Sequence, residues 1–87
     1  MLPINASDSA ELDLRGLRPF EAEARIDRFL QRLCDDDVPG RIIHGIGTGV
    51  LRQSTLDYLR GGPWKVAFRS GMGSEGGEGV TVVVMEN

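Results

Sequence analysis

Residues 41–62, RIIHGIGTGVLRQSTLDYLRGG, decide how this chain folds. Arg41, Ile42, Ile43 and His44 form a short β-prone run that stops at a glycine. Gly45-Ile46-Gly47-Thr48-Gly49 then leads directly into a stretch where Leu51, Thr55, Tyr58 and Leu59 share one face at helical spacing. Thr48 is placed to cap that helix at its start, and Gly61-Gly62-Pro63 closes it. A strand handed through glycines straight to a helix is a β-α unit, and the rest of the chain is read outward from it.

Toward the N-terminus, Pro39-Gly40 breaks a second helical pattern. Pro19 suits its first position, Glu21 and Glu23 suit the positive first turn, and Ala22, Ile26, Phe29, Leu30 and Leu33 form its apolar face. The helix is expected to stop near Asp35–Asp37. Before it, residues 11–15 (ELDLR) alternate as a strand ending at Gly16, with Leu12 and Leu14 on one side and Glu11, Asp13 and Arg15 on the other. Residues 1–10 are small and polar without periodicity, so they read as a linker or frayed end, and the domain is expected to occupy 11–87.

Toward the C-terminus, residues 64–69 alternate again, with Trp64, Val66 and Phe68 on one side. Residues 70–79 hold five glycines and read as a flexible connection. Residues 80–85 (VTVVVM) are the most β-prone run and the best candidate for a central strand. The order β-α-β-α-β-β implies an α/β, two-layer sandwich with a four-stranded mixed sheet and two helices on one face. Strands joined by helices should run parallel with right-handed crossovers, and the last strand antiparallel. The other face of the sheet would be partly open, with Asp13 and Arg15 pointing to it.

Composition bounds the function. The 87 residues suffice for one domain with one modest core. One cysteine, Cys34, excludes an internal disulfide and a multi-cysteine zinc site, and fits a reducing, cytoplasmic setting. The first residues lack the pattern of a signal peptide, and no apolar stretch approaches the ~20 residues that cross a membrane. A polar start and an abrupt end after an apolar run suggest the last domain of a longer chain, monomeric by itself. Net charge is −3, against the usual basic character of nucleic-acid binders. The distribution is uneven: residues 41–69 carry five bases and one acid, enough for a local positive patch.

The segment from His44 to Gly49 is the strongest candidate for chemistry. Glycines let backbone N–H groups approach a ligand, and the following helix start favours an anion. Gly45, Gly47, Thr48 and Gly49 are therefore candidate phosphate contacts, reinforced by Arg52. The same glycines also suit a tight turn required by geometry alone. The lysine of a P-loop and the G-x-G-x-x-G spacing of a dinucleotide site are both missing. His44 could exchange a proton with a leaving oxygen or donate to a phosphate, although a lone histidine is more often structural. Arg15 could bind a phosphate oxygen, with Asp13 orienting water, a cation or the histidine. Glu11 could join Asp13 around magnesium or manganese; no tightly bound cofactor is expected. Tyr58 and Trp64 could stack on bases, but their periodic positions favour packing.

Three segments together resemble the Smr (small MutS-related) family: Leu12-Asp13-Leu14-Arg15-Gly16, His44-Gly45-Ile46-Gly47-Thr48-Gly49, and Gly76-Gly77-Glu78-Gly79-Val80-Thr81. Many members have histidine where this chain has Arg15. The arginine form resembles the version at the carboxy terminus of the second class of bacterial MutS homologues. The resemblance implies a fold similar to the carboxy-terminal domain of translation initiation factor 3. It also implies DNA nicking that restrains homologous recombination; some members act on RNA or ribosomes. It carries over Asp13, Arg15 and His44 as catalytic candidates, and Gly76, Gly77, Gly79 and Thr81 as a backbone wall. The alternative is a non-catalytic module that grips DNA, RNA or the ribosome.

Overall fold

The computed structural model describes residues 10–86. Four strands and two long helices follow the expected order: β1 (Ala10–Asp13), α1 (Pro19–Asp36), β2 (Gly40–Ile43), α2 (Val50–Gly61), β3 (Val66–Ser70) and β4 (Val80–Met85). They form an α/β fold with one mixed sheet of order β1-β2-β4-β3. β1 and β2 pair in parallel, and β4 runs antiparallel to both of its neighbours. β2 and β3 point the same way but do not touch, because β4 lies between them. The sequence identified the central strand and its direction; it did not show that this strand separates β2 from β3.

α1 starts where Pro19 fits the first helical position, and the Glu21 carboxylate accepts a hydrogen bond from the Arg18 N–H at 3.0 Å. Ala22, Ile26, Phe29, Leu30 and Leu33 are all buried, as the spacing predicts. They meet Ile42 and Val83 of the sheet and Leu59 of α2 in one cluster, so both helices cover the same sheet face. Gly40 lies directly beneath α1. A Cβ there would sit 2.7 Å from Leu33 Cδ1 and Phe29 Cζ, so only glycine lets helix and strand approach this closely.

Several boundaries differ from the sequence reading. β1 begins at Ala10, whose N–H donates to the Pro39 carbonyl, and ends at Asp13 rather than residue 15. Leu14 instead turns into the core, fully buried, with its N–H on the Ile43 carbonyl at 2.7 Å. Thr48 does not cap α2. Gly49 does, in the left-handed region at φ 84°, because its N–H closes a turn on the Ile46 carbonyl. Trp64 precedes β3, and its indole N–H donates to Asp27 at 2.8 Å, as does the Tyr58 hydroxyl. Both aromatics thus tie α1 to the segment around α2, the packing role rather than base stacking.

The glycine-rich loop is also more built than a plain connection. It contains two short 3-10 turns, Gly73–Glu75 and Gly77–Gly79. Arg41 and Arg69 flank Val82 on the sheet face away from the helices. Both reach Glu75: Arg69 through a two-pronged ion pair at 2.6 and 2.9 Å, Arg41 through the Glu75 carbonyl at 3.4 Å. The Met72 N–H adds a third hydrogen bond to the Glu75 carboxylate; Arg69 first, and then this bond, hold its pKa down to about 2, well below its ordinary value. The loop therefore folds back over part of the face expected to be open, and Val80 and Val82 are buried.

Candidate nucleic-acid interface

β1, β2 and the loop before β4 end side by side, so the three sequence motifs converge. Their junction is a cleft of about 920 Å³. Arg15 lines it from the first motif, and His44, Gly45, Gly47, Thr48 and Gly49 from the second. Gly76 and Gly79 line it from the third, and Arg52 from the first turn of α2. Arg41 and Glu75 also line it, and the sequence reading missed both as site residues. Arg41 had one available signal: it occupies the strand that ends in His44, on the face opposite buried Ile42. Glu11, Asp13, Gly77 and Thr81 are not part of the lining.

Three guanidinium groups thus surround a cleft in a chain of net charge −3, two of them paired with carboxylates that lie outside the lining. Arg15 is held by Asp13 in a fork: Nε to Oδ1 at 3.0 Å and Nη2 to Oδ2 at 2.8 Å. The Arg15 backbone N–H also donates to Oδ1 at 3.0 Å. These bonds hold the Asp13 carboxyl at about 2, below its ordinary value. The stem of Arg15 passes so close to Gly45 that a Cβ there would meet Arg15 Cγ at 3.4 Å. Arg52 reaches the Ser70 hydroxyl at 3.4 Å and, among the described residues, no carboxylate. Of the three guanidinium groups in the lining, it is the one not paired with a carboxylate among the described residues.

The glycine segment offers fewer donors than its sequence suggests. The N–H groups of His44 and Gly45 both donate to the Gly79 carbonyl at 3.0 Å, and that of Gly49 to Ile46. Gly45 and Gly49 therefore shape the loop rather than present their N–H to a phosphate. Gly45, Gly47 and Gly49 all have positive φ, the conformation that required glycine. The first-turn amides of α2, from Val50 to Arg52, lack intrahelical acceptors by helix geometry and face the anion-favouring end.

His44 is 5% exposed, and both ring nitrogens are engaged. Nδ1 lies 2.9 Å from the Gly45 carbonyl and Nε2 2.8 Å from the Thr81 hydroxyl. A carbonyl only accepts, so Nδ1 carries the proton and Thr81 donates to Nε2. Burial, with Arg52 nearby, lowers the His44 pKa and keeps the ring neutral. The expected proton exchange with substrate therefore requires Nε2 to leave Thr81.

Asp13 and Glu11 share one face of β1, as the alternation predicts, but they do not form a cation site. Both Asp13 oxygens are occupied by Arg15, and Glu11 pairs with Arg41 at 2.6 Å. Among the described residues, no group of three or more His, Cys, Asp and Glu side chains could hold a metal ion. This donor set does not fit protein-held magnesium or manganese, because arginines already neutralise it.

A family model described as the Smr domain matches residues 12–86. The chain belongs to the Smr domain family. Similar sequences include two proteins named Endonuclease MutS2. The one from Exiguobacterium sibiricum is 47% identical over 79 residues, 90% of this chain and 10% of its own length. The one from Anaeromyxobacter sp. is 48% identical over 73 residues, 83% of this chain and 9% of its own. The chain thus spans about a tenth of the length of these relatives. Among solved structures, the Smr domain of Thermus thermophilus MutS2 superposes with a TM-score of 0.83 at 38% identity, covering 90% of this chain and 99% of that one. YdaL, a stand-alone small MutS-related protein from Escherichia coli, shares the fold with a TM-score of 0.80 at 20% identity, covering 98% of this chain and 69% of that one. No helix among the described residues of this Smr domain is long and apolar enough to cross a membrane.

Proposed function

We propose that this Smr domain is an endonuclease module that binds DNA and hydrolyses a phosphodiester, leaving a nick. The observation that carries this reading is the convergence of Arg15, Arg41 and Arg52 with the start of α2 around one cleft. Such donors hold a phosphate and stabilise the charge that develops when water attacks it. Asp13 acts through Arg15, whose fork it orients. His44 is the neutral base at the cleft; it takes or returns a proton once Nε2 exchanges the Thr81 hydroxyl for a substrate oxygen or water. Thr48, Gly47, Gly76 and Gly79 supply the close-fitting walls. The similarity to proteins named Endonuclease MutS2 supports the activity and a place in a longer MutS-like chain; that this chain is cytoplasmic and restrains recombination is part of the same proposal. No step here is routed through a metal ion.

One observation favours a second reading, a module that binds DNA, RNA or the ribosome without cutting. The engaged His44 nitrogens and the neutralised Asp13 leave neither of these two catalytic candidates as a proton acceptor directed at the cleft in this conformation. Supercoiled plasmid separates the two readings. Nicking by the wild-type chain, lost in His44→Ala and Asp13→Ala, supports the nuclease, and arms with and without magnesium or manganese measure metal dependence. Binding that weakens steeply with salt, with no nicking above the variants' background, supports the binding module.

A further inference from the structure

The phosphate-holding scheme leaves the apolar part of the cleft unused. Leu17, Pro19, Ile46 and Val50 line the same cleft as Arg15 and Arg52. Ile46 is 69% exposed and Val50 53% exposed. A single exposed aliphatic residue needs no explanation. Here two β-branched side chains lie on the one segment whose other members are glycines and a threonine. The turn from Ile46 to Gly49 brings the chain round to Val50, the first residue of α2. Ile46 also lies beside the third motif, since a Cβ on Gly79 would sit 3.7 Å from Ile46 Cγ1.

A ligand that matches this surface is anionic at one point and apolar immediately beside it. A phosphate alone would leave Ile46 and Val50 in water, and a smooth duplex backbone would meet them only with charged and polar groups. A nucleotide with its base accessible satisfies both halves. We propose that Ile46 and Val50 form an apolar shelf for the nucleobase adjoining the bound phosphate, so that the cleft selects a nucleotide displaced from its stack. The inference rests on the nucleic-acid reading given above and adds which part of the nucleotide is recognised. Apolar side chains placed against unstacked bases are a general means of gripping deformed nucleic acid.

The test compares two oligothymidine-length strands of equal phosphate count, one with thymine bases and one built of abasic sites, titrated into the 87-residue chain at low salt. The wild type is expected to bind the base-bearing strand about tenfold more tightly. The double variant Ile46→Ser, Val50→Ser should lose that preference while keeping its affinity for the abasic strand; Arg52→Ala should weaken both. Both apolar side chains are solvent-exposed, and an unchanged melting temperature verifies the fold. Equal wild-type affinity for the two strands overturns the proposal and leaves phosphate binding intact. So does a preference that survives the double variant. Binding to neither strand overturns the proposal, and a failure to bind supercoiled plasmid as well removes the nucleic-acid reading.

Discussion

The Nε2 of His44 and the Oγ1 of Thr81 lie 2.8 Å apart and out of contact with solvent, tying the end of β2 to the central strand. The Gly45 carbonyl fixes the ring's tautomer, and Thr81 supplies the hydroxyl donor that Nε2 then accepts. Thr81→Val keeps the side chain's shape and removes only the donor, leaving a buried acceptor unpaired. A loss of about 1–3 kcal/mol is expected in urea denaturation. An unchanged midpoint would mean that the bond holds nothing in place.

The same ring predicts a pH dependence. Burial, then the Arg52 charge, lowers the pKa of His44 below its value of 6.5 in an unfolded chain. The unfolded chain therefore binds more protons in that window, and its population rises as pH falls. Stability should be fully present above about pH 6.5 and decline as pH drops through the folded value. Urea midpoints measured across this range should slope for the wild type and lie flatter for His44→Gln.

Gly40→Ala should destabilise by about 1–3 kcal/mol, because the added methyl meets two buried side chains, Leu33 and Phe29, that have nowhere to move. Gly61→Ala is the counterpart. Nothing lies within 4 Å of a Cβ there, and the residue is helical, so a gain of about 0.5–1 kcal/mol is expected. Thermal melts of the two variants should move in opposite directions.

Burial first, and then its hydrogen bond to Asp27, push the Tyr58 hydroxyl up to about 12. In Asp27→Ala the pKa should fall back toward 10, readable as an earlier rise of tyrosinate absorbance. Since the wild-type shift is upward, the stability linked to it is complete below pH 10 and is lost between about pH 10 and pH 12.

Arg52→Ala should reduce the slope of log affinity against log salt by about one, the loss of one phosphate contact. A slope equal to that of the wild type would remove Arg52 from the interface.

What could be read from sequence was whatever periodicity encodes. The five buried residues of α1 and the central β4 were legible because helical and strand patterns report which face is apolar. The junctions were not. Leu14 continues the alternation of β1, yet leaves the strand for the core, since pairing stops where β2 turns away at His44. Thr48 is the better capping residue by type, but the turn closed by Ile46 and Gly49 requires a left-handed residue at that point. In the site, the convergence of Arg15, His44 and Gly79 followed from motif order. The pairing of Asp13 with Arg15, two residues apart on one face, was legible as a surface pair; the capture of Glu11 was not, because Arg41 lies 30 residues from it in sequence and pairs with it only across strands.

The position of β4 bears on how the domain comes to exist. β1 pairs with β2, and β3 joins them only through the strand that follows it in the chain. Until residues 80–85 slot in, the sheet is two unconnected pieces, and His44 and Arg69 have no strand to rest on. Closure waits on contacts between distant parts of the chain, which makes folding slower than local pairing would allow and strongly all-or-none. On a translating ribosome, the nascent domain would remain without its arginine-lined cleft until the VTVVVM segment had emerged from the exit tunnel.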